Sequence, residues 1–213
     1  MNDFSISMAL VDYIPVVFFA IAAIILLRDL YDKMSKCAYA LFSAGVIDVA
    51  IAGALKATWK LLCAAGVCNF EALDAMFFPV QSIGFLLAGI GILNMLLHKN
   101  SQKALMAAVP PVFSGTFVFV GLMVVGLGIM DVVLCILSVK LKKPWLIAIF
   151  AFSFICSLCM GYLSSQDFVK SAMNWIAEGV NVLGQGTLLL GTILLHKNGL
   201  AKLTLDGVKI NDR

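Results

Sequence analysis

Residues 101–140 read SQKALMAAVPPVFSGTFVFVGLMVVGLGIMDVVLCILSVK, and the number of times they cross a membrane decides the fold. The apolar run at about 116–139 suffices for one helix through a hydrocarbon core of about 30 Å, which takes about 20 residues. Pro110 and Pro111 ahead of it end a helix, and no polar turn divides the stretch in two. The reading is therefore one crossing preceded by a short interfacial segment at 101–115. A second crossing within the stretch is the alternative.

The rest of the chain has the same character. Of its 213 residues, 62% are hydrophobic and 13% charged, with a mean hydropathy of +1.03, above the usual apolar share of a soluble domain. Apolar stretches recur at about 8–28, 37–58, 72–97, 116–139, 144–164 and 171–195. Lipid leaves no backbone polar group unpaired, and the alternation of a membrane β-barrel is absent, so these stretches are expected as helices. The fold class is all-α: a polytopic integral membrane protein with about six transmembrane helices. The first stretch has no basic segment ahead of it and no A-x-A site, which reads as a retained span rather than a cleaved signal. The net charge of +3 comes from short basic loops and a polar tail at 199–213, too small for a nucleic-acid-binding or catalytic domain.

Two spans end alike, NMLLHKN at 94–100 and TILLHKN at 192–198, 98 positions apart. This register sets Phe77 opposite Trp175, while a shift of 106 sets Lys36 and Tyr39 opposite Lys142 and Trp145 at the heads of the second and fifth spans. The pattern reads as a duplicated three-helix unit, 1–100 and 116–198, joined by the linker 101–115. With an odd number of crossings per unit and no crossing in the linker, the halves are expected to be inverted repeats with a binding site at the midplane between them. A crossing in the linker would instead give parallel units. With the N-terminus inside, the inner loops and tail gather the larger share of Lys and Arg, although the first helix, with basic residues only after it, votes the other way. Both termini are expected inside, in a bacterial cytoplasmic membrane.

Chemistry in lipid is sought among polar residues. Asp48 lies twelve residues from Lys36 and from Lys60, near the bilayer centre. A carboxylate there costs several kcal/mol unless protonated, paired or wet, so ionisable residues in spans point to function. The sixth span sets Asn174, Glu178, Asn181 and Gln185 at i, i+4, i+7 and i+11, one helical face. Such a stripe does not face lipid and is read as the wall of a hydrated cavity. Gln81 beside Pro79 is a further wall candidate, and Asp131 either joins the cavity or reaches the interface through Lys140. Lys56 and Lys60, near the end of their span, are read as snorkelling anchors.

These residues imply a small membrane transporter or channel that moves a small solute or ion through a polar central cavity, with Asp48 as protonatable centre and proton coupling as the finer expectation. One alternative is a membrane-embedded ligand-binding or sensing subunit that works with a partner. The other is a thiol–disulfide oxidoreductase, since Cys156 and Cys159 form a C-x-x-C while Cys63 and Cys68 bracket the loop after the second span. Alternating spans put these two pairs on opposite faces, which speaks against it. The same alternation puts His98 and His196 a membrane thickness apart, out of reach of a single metal. No cofactor, metal or nucleic-acid partner is implied. The expected partners are the lipid bilayer and a small solute or ion, and a homo-oligomer is compatible with the pattern.

Overall fold

The computed structural model describes residues 5–97, 116–163 and 171–204. These residues form helices and turns with no strand: α1 (Ile6–Val11), α2 (Tyr13–Leu30), α3 (Lys36–Ala64), α4 (Glu71–Ala75), α5 (Phe77–Leu97), α6 (Thr116–Lys140), α7 (Leu146–Leu163) and α8 (Ser171–Lys197), with short 3₁₀ turns at Tyr31–Lys33 and Leu200–Lys202. Six stretches are long and apolar enough to cross a membrane, with α1 continuing into α2 and α4 into α5. The chain is an integral membrane protein of the expected helical class.

Local chemistry explains the helix boundaries. The Ser5 and Ser35 hydroxyls accept from Met8 N and Ala38 N at 3.2 Å, capping α1 and α3. Pro15 cannot donate to Val11, the last residue of α1, and the chain breaks at Asp12. Pro79 stands in the same relation to Ala75, the last residue of α4, and the break falls at Met76. The α6–α7 turn passes through Lys142 at φ 58°, the left-handed conformation that closes a helix C-terminus.

The spans form a closed ring in which each packs on the next in the order α2, α3, α5, α6, α7, α8, and α8 returns to α2. Antiparallel pairs follow the short loops. Tyr13 Oη lies 2.8 Å from Thr58 Oγ1 between α2 and α3, and Ser153 Oγ donates to Gly184 O at 2.9 Å between α7 and α8. The α5–α6 pair differs. Ser82 Oγ donates to Phe119 O at 2.7 Å, and seven residues further along both helices Gly89 meets Gly126, where an added Cβ would stand 2.6 Å from the Gly126 carbonyl oxygen. These two helices therefore run parallel. So do α2 and α8, since Phe18 lies against Gly186 and Arg28 against His196.

Consequently α2, α5, α6 and α8 point one way and α3 and α7 the other. The expected inversion of the halves is corrected here: α2, α3, α5 have the same order and directions as α6, α7, α8, so a repeat in this fold is a parallel one. The physical reason is the Gly89–Gly126 approach, which brings the start of α6 to the end of the bundle where α5 starts. The linker 101–115 and the turn expected at Pro110 and Pro111 lie outside the described residues. So does His98, and with it the expected separation of His98 from His196; Leu97, the last described residue of α5, lies at the same end of the bundle as His196. Ser5 and Lys202 lie at opposite ends, which corrects the expectation that both termini face one side.

Between the helices, Phe19, Leu26, Phe42, Phe85, Ile92, Met130, Leu134, Phe150, Leu188 and Leu195 belong to one buried apolar cluster.

Two outcomes test this arrangement. In a chain freed of other cysteines, Ser5→Cys and Lys202→Cys should be labelled by a membrane-impermeant maleimide from opposite sides of sealed vesicles; labelling of both from one side contradicts the parallel α5–α6 pair. Gly126→Ala forces a Cβ into the α5 backbone and should lower stability to unfolding in detergent by about 1–3 kcal/mol. Gly121→Ala, with nothing within 4 Å of the new Cβ, should not.

Candidate functional site

At the end of the bundle where α2 begins, the break at Asp12 puts a carboxylate at the head of that helix, where the helix dipole favours negative charge. Lys60, four residues before the end of α3, turns inward to meet it. Its ammonium nitrogen lies 2.6 Å from Asp12 Oδ2 and 2.7 Å from Glu178 Oε1 on α8. All three side chains are over nine-tenths buried. Taking such charges out of water costs several kcal/mol each, which close pairing offsets. The Glu178 Oε2 atom has no hydrogen-bond partner among the described residues. Lys56, one turn back on α3, lies within electrostatic reach of Asp12 and Glu178 but forms no ion pair with either; its ammonium lies 4.1 Å from the centre of the Phe77 ring and 5.6 Å from that of Phe78, a cation–π arrangement. Lys60 is thus not the snorkelling anchor expected from its place near a helix end.

A second polar cluster closes the other end of the same helix pair. Asp29, near the end of α2, is 3% exposed and accepts from His196 Nδ1 of α8 at 2.7 Å. The Arg28 Nε atom lies 3.3 Å from the other Asp29 oxygen, and Arg28 Nη2 lies 3.2 Å from His196 Nε2. Lys33 Nζ donates to the backbone oxygens of Asp29 at 3.0 Å and Ala201 at 2.8 Å, tying the turn after α8 to α2.

The expected site residues separate. On the α8 stripe, Asn174 and Glu178 are buried and Asn181 and Gln185 half-buried, with Gln185 Oε1 enclosed and unpartnered among the described residues. Asp48 is not brought to Glu178. It is half-buried on α3 between buried Val49 and exposed Ile47, and about 18 Å of helix separates it from Lys60. Asp131 is buried in α6 with neither carboxyl oxygen bonded to a described residue, and it forms no ion pair with the exposed Lys140. Gln81 is half-buried beside Ser82, whose hydroxyl joins α5 to α6. Cys156 is buried against Gly184 while Cys159 is exposed, and both are free thiols. Because α7 runs back to the end where α3 finishes, the Cys63–Cys68 and Cys156–Cys159 pairs are not on opposite faces, although Cys156, packed on Gly184 near the middle of α8, lies deeper in the bundle than Cys63. That corrects the topological objection to a thiol mechanism.

Comparison with protein-family models, curated proteins and solved structures finds no match. The site is read from its own geometry.

Sequence reasoning missed Asp12 and the role of Lys60. A signal was present: an acid three residues before Pro15 inside the first span, and two lysines at i and i+4 on one face of the second.

Lys60→Met leaves two buried carboxylates without their cation and should cost about 3–5 kcal/mol of stability. Adding Asp12→Asn and Glu178→Gln to it should restore part of that loss, as followed by thermal unfolding in detergent. A Lys60→Met protein as stable as the wild type would show that the cluster is not a buried ion network.

Proposed function

We propose that the chain is a small membrane transporter in which Asp12, Lys60 and Glu178 form the site that responds to a small cation or proton between two three-helix halves. The observation that supports this reading is the sharing of one buried ammonium by two carboxylates from different halves. Among the described residues the cation paired with both carboxylates is Lys60, while Lys56, turned onto the Phe77 and Phe78 rings, adds a second positive charge nearby. The Glu178 Oε2 atom, without a hydrogen-bond partner among the described residues, is the atom that takes a proton, a small cation or the ammonium group of an organic solute. Its arrival at Glu178 weakens the hold on Lys60, and with it the link from α3 to α8. The remaining stripe residues Asn181 and Gln185 continue along α8 as contacts for solute or water. Asp48, apart from this cluster, keeps at most a separate role as a protonatable group.

The halves fit a duplicated unit in parallel orientation, in keeping with the matching LLHKN endings at 96–100 and 194–198. Sidedness follows from charge. Arg28, Lys33, Lys36, Lys140, Lys142, Lys143, Lys197 and Lys202 all lie toward the Asp29 end, whereas the described basic residues toward the Asp12 end are Lys56 and Lys60, both drawn into the bundle. The rule that cytoplasmic segments carry the Lys and Arg makes the Asp29 end the inner one.

In proteoliposomes loaded with a pH-sensitive dye, a member of a panel of monovalent cations, primary amines and amino acids should drive protein-dependent proton movement. Glu178→Gln should slow it about tenfold or more, the effect of about 1.4 kcal/mol on a barrier. A folded wild-type protein that moves no proton with any of them, yet is stabilised by one, would indicate ligand binding or sensing in place of transport.

A further inference from the structure

Two seams join the halves, and they are built from opposite chemistry. At α5–α6, Gly89 and Gly126 bring the backbones into direct contact, and Ser82 adds a hydrogen bond to Phe119 O. No side chain intervenes at the Gly89–Gly126 contact, so little can slide or open there. At α2–α8 the ends are held by charge: Lys60 between Asp12 and Glu178 at one, and Asp29 with His196, Arg28 and Lys33 at the other. About 25 Å of α2 separates Asp12 from Asp29, close to the thickness of a hydrocarbon core. Midway, the Phe18 ring lies against Gly186, where an added Cβ would sit at 3.5 Å, an ordinary contact.

Resting on the transport reading, we propose that the Asp29–His196 cluster is the second gate of the pathway whose first gate is Asp12–Lys60–Glu178, with the α5–α6 seam as the fixed pivot. Each cluster spans the same helix pair at one membrane face, and each contains a group from either half. Ion pairs and hydrogen bonds have two discrete states, made or broken, whereas the backbone contact of Gly89 with Gly126 has one. Rotation about the glycine seam opens the α2–α8 seam at one end while closing it at the other. A solute entering between α2 and α8 at one face then meets a closed cluster at the opposite face. Lys33 strengthens the inner gate by holding the Leu200–Lys202 turn through Ala201 O, so the residues after α8 move with α2.

The test needs no identified solute. In a cysteine-free chain carrying Gly186→Cys, reconstituted in vesicles of known sidedness, reaction with an impermeant maleimide reads access to the middle of the seam. Asp29→Asn or His196→Gln should speed the reaction about tenfold or more from the Asp29 side only, the change that about 1.4 kcal/mol lost from one closed state produces. Lys60→Met should do so from the Asp12 side only. Arg28→Gln, which leaves the Asp29–His196 bond in place, should give a smaller change of the same sidedness and serves if Asp29→Asn fails to fold. Acceleration from both sides by one variant would mean an open pore, and no acceleration in any folded variant would mean static clasps; either overturns the proposal. Solute-driven flux together with two-sided labelling would leave transport standing and remove the gates, whereas one-sided labelling without flux would remove transport alone.

Discussion

The approach of Gly89 to Gly126 is the constraint on which the rest of the bundle depends. In lipid there is no hydrophobic gain from bringing apolar helices together, so association rests on close packing and on polar contacts. Two glycines facing each other give the first of these in its strongest form. Because they meet with the helices running the same way, the contact orients the whole second half of the molecule. The hairpins α6–α7 and α7–α8 carry that direction on to α8, and α8 closes the ring against α2 in parallel.

That closure sets the chemistry of the other seam. In the 98-residue register of the LLHKN endings, Val80 on α5 occupies the place of Glu178 on α8, and Leu87 that of Gln185. The α5–α6 seam is accordingly small and close, while the α2–α8 seam carries acids, bases and amides. A buried charge in a low dielectric is held in place by its partner, because leaving it alone costs more than pairing it. The polar seam is therefore fixed at its two ends by particular partners, whereas the α5–α6 seam is fixed by backbone contact.

Two proline-induced breaks lie toward the end with the three-charge cluster. The α1–α2 break at Asp12 frees backbone donors at the head of α2 and sets a carboxylate among them, and the α4–α5 break at Met76 precedes the Phe77 and Phe78 rings that hold Lys56. Interrupted helices are tolerated in membranes where the loosened backbone is enclosed by protein or meets a polar site. Here one break carries Asp12 itself and the other precedes the rings that hold Lys56.

How much of this was legible beforehand follows from the range of each interaction. Hydropathy and helical periodicity are properties of neighbouring residues, so the six spans and the inward stripe of Asn174 and Glu178 could be read from the chain itself. Lipid allows these runs hardly any structure but a helix. The partner of Glu178 could not be read that way. The bond joins it to a residue 118 positions earlier, and Lys60 at a helix end has the composition of an anchor until the fold shows which way it turns. Asp48 misled for the matching reason: depth along a helix follows from counting residues, whereas the face it presents depends on the neighbours packed against that helix. The direction of the second half was the largest gap. Alternation of spans is an assumption about connections, and a glycine contact between α5 and α6, neighbours in space but opposite to alternation in sense, overrides it. Composition and periodicity determined that the chain is a helical membrane protein with charges inside it. Only tertiary packing decided which charges meet, because that depends on helix direction and facing, which no local stretch of sequence encodes.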